Sequence, residues 1–324
     1  MSGKNVTEVV LADAEGIARA AAILESGGLV AVPTETVYGL AARADCADAV
    51  AKIYAAKGRP DFNPLIVHVS GMEQAKSVAT FSRDAALLAE ACWPGPLTLV
   101  LPARSDALLV KALTAGLPTV AVRVPNHPVL QALLEEVDFP LAAPSANRSG
   151  FISPTSAAHV LASLDGKIDL VLDAGPTEAG VESTIVGFGV DGRWEELRPG
   201  PIDLTAWHKL WFDDVGPVGR TSGGDGEAIT APGQLASHYA PGKPVRLNAS
   251  KPAADEFMIG FGSIKGDCNL SDAGDLKEAA MRLYDSLHQA AAARKSRIAI
   301  ASIPDEGIGR AMNDRLRRAA APVD

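Results

Sequence analysis

What most constrains this chain is a recurrence of short apolar runs, separated by turns and by segments with helical spacing. Leu29–Val32, Leu65–Val69, Leu97–Leu101, Thr119–Val124 and Leu141–Ala143 are short, turn-bounded and rich in branched residues, so they read as strands. Between them lie helical patterns at Asp13–Ser26, Asp45–Ala56, Met72–Ala79, Asp84–Ala91 and from Ser153 to Leu161. In Asp13–Ser26, Ile17, Ala20, Ala21 and Leu24 share one face and Gly27-Gly28 supply the stop. Asp45 is placed to cap the helix that follows it. Strands alternating with helices bury their apolar faces as an α/β sheet with flanking helices. Open sheets of this class bind ligands where strands end, so the strand-end loops are where function is sought.

Those loops are rich in polar groups. Pro33-Thr34-Glu35-Thr36-Val37-Tyr38-Gly39-Leu40 crowds hydroxyls, a carboxylate and a phenol behind one strand. Lys57-Gly58-Arg59-Pro60-Asp61-Phe62-Asn63-Pro64-Leu65 sets two cations in a Gly/Pro-rich loop before another strand. Glycine lets backbone approach a ligand closely and proline stiffens the loop, which suits a polyanion. In the strand Thr119–Val124, Val120, Val122 and Val124 face one layer, and Thr119, Ala121 and Arg123 the other. An arginine there needs an anionic partner, either an internal carboxylate or a substrate. His68, alone in an apolar strand, reads more readily as a core residue than as a catalyst. Pro144–Gly150 and Ser153-Pro154-Thr155 place hydroxyls, an amide and backbone N–H groups at a helix start, as an anion cradle or as a plain capping loop. Ser183–Val186 and Leu197–Pro201 read as two arms of a hairpin turning at Asp191-Gly192, which carries Arg198 to the same edge.

Charge sharpens this reading. The net charge is −9, and residues 1–208 hold 15 Lys and Arg against 24 Asp and Glu, while 209–324 hold 15 of each. A module built to grip a nucleic acid backbone would be basic. Lys57, Arg59, Arg123 and Arg198 would instead form a local basic pocket in an acidic domain, enough for a triphosphate and a carboxylate. Gly175–Gly180 has P-loop glycine spacing but lacks the lysine, and Gly187–Gly192 leads into a strand rather than a helix, so neither is a phosphate loop. No apolar run approaches the ~20 residues of a membrane span. The N-terminus, with Glu8 and Asp13, does not read as a signal peptide. Three widely spaced cysteines fit a reducing cytoplasm, and neither a disulfide framework nor a thiolate metal site. The residues alone point to an enzyme of nucleotides or polyanions that has no P-loop.

After Trp211 the composition changes. Residues 1–211 read as the catalytic domain, 212–242 as a Gly/Pro-rich linker, and 243–324 as a smaller α/β domain. The linker ends in Ser237-His238-Tyr239-Ala240-Pro241, an ending that suggests a docked lid. Arg310, Arg315, Arg317 and Arg318 read as a solvated helix end.

Pro33–Leu40, Lys57-x-Arg59-Pro60, Asn63-Pro-Leu65, Trp93–Thr98, Val120–Arg123, Pro144–Asn147, Val181–Ile185 and Leu197–Pro201 together resemble the YrdC-type threonylcarbamoyl-AMP synthases. Ala231–Gly233, His238–Pro241, Gly307–Gly309 and Asn313–Arg315 are similar to the linker and tail of the long, two-domain form. The resemblance implies a twisted mixed sheet with flanking helices, YrdC-like, plus a C-terminal Rossmann-like α/β domain. It implies a nucleotidyltransferase that makes L-threonylcarbamoyl-AMP and pyrophosphate from ATP, L-threonine and bicarbonate, with Mg²⁺ carried by ATP and no metal ligand from the protein. The product would pass to the tRNA threonylcarbamoyl-transfer complex, with direct tRNA binding weak or absent and no membrane involved. By the same resemblance Lys57 and Arg59 are catalytic. Thr34, Tyr38, His68, Arg123, Ala143 and Ser183 surround threonine. Lys57, Arg59, Asp61, Thr119, Ser145, Asn147, Ser153, Arg198 and Tyr239 hold ATP. Two rivals are a double-stranded-RNA or tRNA binding module, which the acidic charge disfavours, and a carbamoyl-transfer maturation factor. The latter would carry zinc-finger cysteines and an acylphosphatase-like segment, and this chain has neither.

Overall fold

The computed structural model describes residues 6–189, 194–204, 231, 233–234 and 237–322. The boundary at Trp211, the linker between 212 and 230 and the turn at Asp191-Gly192 lie outside the described residues.

The first domain comprises β1 (Glu8–Leu11), α1 (Ala14–Glu25), β2 (Val30–Val32), β3 (Gly39–Arg43), α2 (Ala47–Lys57), β4 (Ile66–His68), α3 (Met72–Val78), α4 (Arg83–Cys92), β5 (Leu97–Pro102), β6 (Thr119–Arg123), α5 (Pro128–Glu136), β7 (Leu141–Ala142), α6 (Ala157–Leu164), β8 (Leu170–Asp173), β9 (Thr184–Phe188) and β10 (Trp194–Arg198). Local chemistry sets many of the helix ends. Asp13, Ser82 and Ser156 accept a backbone N–H at the starts of α1, α4 and α6, and Pro128 opens α5. Gly58 ends α2 in the left-handed conformation, at φ 57°. Asp45 does not cap α2. Cys46 stands at that position, and the Asp45 carboxylate is drawn off by Arg43, which donates from Nε and Nη2 at 2.7 and 2.8 Å.

The strands form one mixed sheet in the order β1-β8-β2-β3-β7-β4-β6-β5-β9-β10. Pairs β4–β6 and β5–β9 are parallel, whereas β3–β7, β7–β4, β6–β5 and β9–β10 are antiparallel. The alternation read in β6 holds: Val120 and Val122 join the main core, while Ala121 faces the other layer with Ile66, Val100 and Ile185. On that second face α1 and α5 cover the half containing β8, β2 and β7, through Leu24, Leu130, Leu133 and Leu134. No described helix covers the half built from β4, β6, β5 and β9. Its small apolar cluster is completed by Ala231, from within the 212–242 segment read as the linker. The site lies on this half.

The second domain comprises β11 (Val245–Arg246), β12 (Glu256–Gly260), β13 (Cys268–Asn269), α7 (Leu276–Ala292), β14 (Arg297–Ile300) and α8 (Ile308–Ala320). Its four parallel strands run in the order β11-β14-β12-β13. The sheet packs on α7 and α8 through Leu283, Leu287, Met312 and Leu316. Val37, Ile152, Val181 and Tyr239 belong to the same apolar cluster, so this core extends into the face of the first domain. Gly180 shows how close the approach is: a Cβ there would sit 2.1 Å from the Ala280 carbonyl oxygen.

Candidate active site

A cavity occupies the uncovered half of the large sheet. Thr34, Thr36 and Val37 come from the loop after β2, His68 from the end of β4, and Arg123 from the end of β6. Ala143, Pro144 and Ser145 come from the loop after β7, Ser183 from just before β9, and Arg198 from the end of β10. Arg59 and Glu182 complete the walls, and Gly233, His238 and Tyr239 close the top. The cavity volume is about 50 Å³, room for a few water molecules.

One group of side chains centres on Arg123. Its Nη2 lies 2.6 Å from Glu35 Oε1, and its Nη1 donates to Thr36 Oγ1 at 3.0 Å. Both charged groups are buried, and although burial opposes ionisation of Glu35, the Arg123 charge holds its pKa below the ordinary value. The internal carboxylate anticipated for Arg123 is therefore present. Thr34 shapes the loop: its hydroxyl donates to the Val37 carbonyl and accepts from the Thr36 and Val37 N–H groups. His68 pairs with Arg123 across β4 and β6. Burial, then the charge of Arg123, pushes its pKa down to about 3, so the ring is neutral at pH 7, and its Nδ1 has no hydrogen-bond partner.

A second group is cationic. Lys57 and Arg59 are buried and have no carboxylate partner among the described residues. Lys57 Nζ donates to the carbonyls of Ser145 and Asn147, at 2.6 and 2.5 Å. Arg59 donates to the Asn63 carbonyl, Asn63 Oδ1 and the Pro64 carbonyl. Burial lowers both pKa values, that of Arg59 to about 10, and the neighbouring Arg59 charge lowers Lys57 further. Arg198 donates to the Ser183 carbonyl and Ser183 Oγ, each at 3.0 Å. Buried cations satisfied by neutral acceptors, as Lys57 and Arg59 are, are costly in a resting protein and are suited to an incoming anion.

The roof is a docked segment. Tyr239 is buried, stacks on Tyr284 of α7 with centroids 5.8 Å apart, and lies under the Arg315 guanidinium at 5.6 Å. Its φ of 63° is unusual for a residue with a side chain and marks a backbone held by its surroundings. The Ala240 N–H donates to the Gly150 carbonyl, and the His238 N–H to the Arg318 carbonyl. The segment is thus clamped between the two domains.

Thr34, Arg59, His68, Arg123, Ala143, Ser145, Ser183, Arg198 and Tyr239 are brought together as lining residues. Lys57 is not among them; it lies beneath, tying down the 145–147 loop. Asn147 is turned to the Arg148 and Phe151 carbonyls. The Tyr38 hydroxyl donates to the Gly175 carbonyl at 2.7 Å, away from the cavity. Ser153 gives its hydroxyl to Glu182. Asp61 is exposed on the outside of its loop, and Thr119 is half-buried at the start of β6, on the same sheet face as Arg123 but four residues away. Arg315 is not part of a solvated helix end. It is fully buried, its Nε meets Glu182 at 3.0 Å and its Nη1 meets Asp314 at 2.9 Å. Arg310 and Arg318 are paired with Glu196 and Asp314. The spacing of α8 already put Arg315 on the buried face with Met312, Leu316 and Ala319, and that signal could have placed it.

Residues 22–200 match the Sua5–YciO–YrdC family, described as telomere recombination, and residues 208–321 match the threonylcarbamoyl-AMP synthase C-terminal domain. The chain belongs to the threonylcarbamoyl-AMP synthase family. A Bacillus subtilis threonylcarbamoyl-AMP synthase is 39% identical over 98% of this chain and 96% of its own length. The Pyrococcus abyssi synthase is 37% identical over 93% of each. The crystal structure of P. abyssi Sua5 complexed with L-threonine superposes with a TM-score of 0.87 at 36% identity, over 97% of both chains. The protein is accordingly a nucleotidyltransferase of tRNA modification, and its larger domain has the YrdC-like fold.

Proposed function

We propose that this synthase condenses L-threonine, bicarbonate and ATP into L-threonylcarbamoyl-AMP with release of pyrophosphate. The observation that carries this reading is that one cavity, in an acidic domain, holds the Arg123 group beside the buried guanidiniums of Arg59 and Arg198, with Arg59 meeting no carboxylate among the described residues. Similarity to a relative whose crystals contain L-threonine supports threonine as the amino acid, and Arg123 is the group assigned here to its carboxylate.

In this reading the threonine carboxylate takes the guanidinium of Arg123 in competition with Glu35. Neutral His68, Thr34 and Ser183 surround its amine and hydroxyl. The ammonium first gives up a proton, and the free amine then takes the carbon of bicarbonate, releasing water, to give a carbamate. A carbamate oxygen then attacks the α-phosphorus, and the bond to the β,γ-pyrophosphate breaks. Catalysis is then positioning plus stabilisation of charge as it shifts to the leaving group. Arg59 and Arg198 would face the phosphates, with the 145–147 loop held in place by Lys57. Magnesium would arrive on the phosphate oxygens, which bind it without a protein cage. Glu182, the carboxylate lining the cavity, is already committed to Ser153, Tyr284 and Arg315. The roof made by Gly233, His238 and Tyr239 would lift for ATP to enter, and its closing would shield the adenylate from water.

The test is pyrophosphate release by the purified protein without tRNA. It should require ATP, Mg²⁺, threonine and bicarbonate together. Full release without threonine, or an absolute need for tRNA, would falsify the assignment.

A further inference from the structure

Arg123 differs from Arg59 in that a carboxylate already balances its charge. Its Nε donates to the Gly95 carbonyl at 3.3 Å and its Nη1 to Thr36 Oγ1 at 3.0 Å. Nη2 has no neutral acceptor among the described residues and stands 2.6 Å from Glu35 Oε1, an ion pair without well-aligned hydrogen bonding. Both side chains are nearly sealed from solvent. Arg123 lines the cavity, and Glu35 stands behind it.

A ligand carboxylate that takes Nη2 in a well-aligned fork displaces Glu35. Burial opposes ionisation of Glu35, but the Arg123 charge keeps it ionised, so once displaced it is a buried carboxylate in need of another counter-charge. His127, its neighbour at the start of α5, cannot supply one, because burial lowers its pKa and the ring is neutral at pH 7. His68, paired with Arg123 across β4 and β6, is neutral too. A ligand that brings only a carboxylate therefore sets two negative charges against one guanidinium. An α-amino acid brings its own cation, the ammonium on the carbon next to its carboxylate. Partners can then exchange, ligand carboxylate with Arg123 and ligand ammonium with Glu35.

We propose that Glu35 is a specificity-determining residue: it admits to the Arg123 corner ligands that carry a carboxylate and an ammonium together, and excludes carboxylic acids that lack the amine. This deepens, and rests on, the assignment of Arg123 to the threonine carboxylate. Such a filter suits the reaction, since an acid without the amine cannot become a carbamate and would only block the site.

The experiment compares L-threonine with (R)-3-hydroxybutyrate, which is threonine without its amino group. Both affinities are measured by calorimetry at pH 7 on the full-length chain, for wild type and for Glu35→Gln, with melting temperature as the control for folding. Wild type should strongly prefer threonine. In Glu35→Gln that preference should fall about 10–100-fold, the worth of one charged hydrogen bond, mainly because the hydroxy acid binds more tightly. Arg59 attracts either carboxylate alike, so its effect cancels in the ratio. If Glu35→Gln does not fold, Arg123→Ala with Glu35→Gln, which strands no buried charge, takes its place and should show the same fall in preference. The proposal is overturned if wild type binds the two ligands equally, or if the preference is unchanged in the variant. Equal tightening would leave Glu35 a mere competitor for Arg123, and equal weakening a structural support. Undiminished threonine binding by the double variant would instead refute the placement of threonine at Arg123.

Discussion

Tyr239→Ala tests whether the 237–241 segment is a working lid. The ring lies between Tyr284, His238 and the Arg315 guanidinium and is 1% exposed. Truncating a buried aromatic in a fixed core costs about 3–5 kcal/mol. A lid can swing into water instead of leaving a void, so the lower figure, about 3 kcal/mol, is the better guide. At about 1.4 kcal/mol per decade, that lowers the ratio of docked to undocked lid roughly 100-fold. The strained φ of 63° is unchanged by alanine and gives nothing back. The assay is the amount of threonylcarbamoyl-AMP recovered per pyrophosphate released. Wild type should approach one to one. Tyr239→Ala should bind ATP more weakly and release pyrophosphate in excess of adenylate, because an open site lets water in. Tyr239→Phe keeps the ring and should stay close to wild type. If Tyr239→Ala keeps both one-to-one coupling and wild-type ATP affinity, the segment is only the edge of the second domain.

Other outcomes follow from single contacts. Arg123→Ala, made together with Glu35→Gln so that no buried charge is stranded, should cost threonine binding on the order of 2–5 kcal/mol while ATP binding holds; unchanged threonine affinity by calorimetry would make Arg123 only the partner of Glu35. Lys57→Ala should instead weaken ATP binding and slow the chemical step, because the 145–147 loop loses its anchor; single-turnover kinetics with saturating ATP separates the two effects. His68 and His238 titrate near 3 in the fold against about 6.5 when unfolded, so the unfolded chain takes up protons first as pH falls. Stability should thus be full above pH 6.5 and decline toward pH 3, by up to about 1.4 kcal/mol per pH unit for each histidine. Urea titrations from pH 7 to 5 should show that slope, with His68→Gln flattening it by one histidine's share; a flat profile in the wild type would contradict the burial assigned to these rings. Serine should replace threonine with a loss of about 10–200-fold, since one methyl is worth only about 1–3 kcal/mol; complete rejection in the pyrophosphate assay would require a specificity element beyond the Arg123 group.

Much of the fold was legible because local chemistry and long-range packing agree. Asp13 both starts the α1 pattern and caps the helix. The alternation of Thr119–Arg123 was legible too, since one face had to enter the core. Short elements were harder: β13 is two residues long and is defined by its pairing with β12, and β3 begins inside what reads as a polar loop, defined by pairing with β2 and β7 rather than by composition. Side-chain direction was less accessible still. Tyr38 and Ser153 sit in the right segments, yet their hydroxyls are claimed by Gly175 and Glu182, partners more than 20 residues away in sequence. Arg315 was misread because charge count suggests solvent, whereas its helix face and a distant glutamate decide otherwise.

The most direct measurement of the proposed reaction is the fate of the bicarbonate carbon. With ¹³C-bicarbonate, ATP and threonine, the adenylate formed should carry one labelled carbon between the threonine nitrogen and the phosphate. A single ¹³C resonance coupled to the α-phosphorus would show that bond. An adenylate without the label would mean that the threonine carboxylate, not a carbamate, attacks phosphorus. Arg123 would then not be holding that carboxylate, and the assignment of the cavity would be wrong.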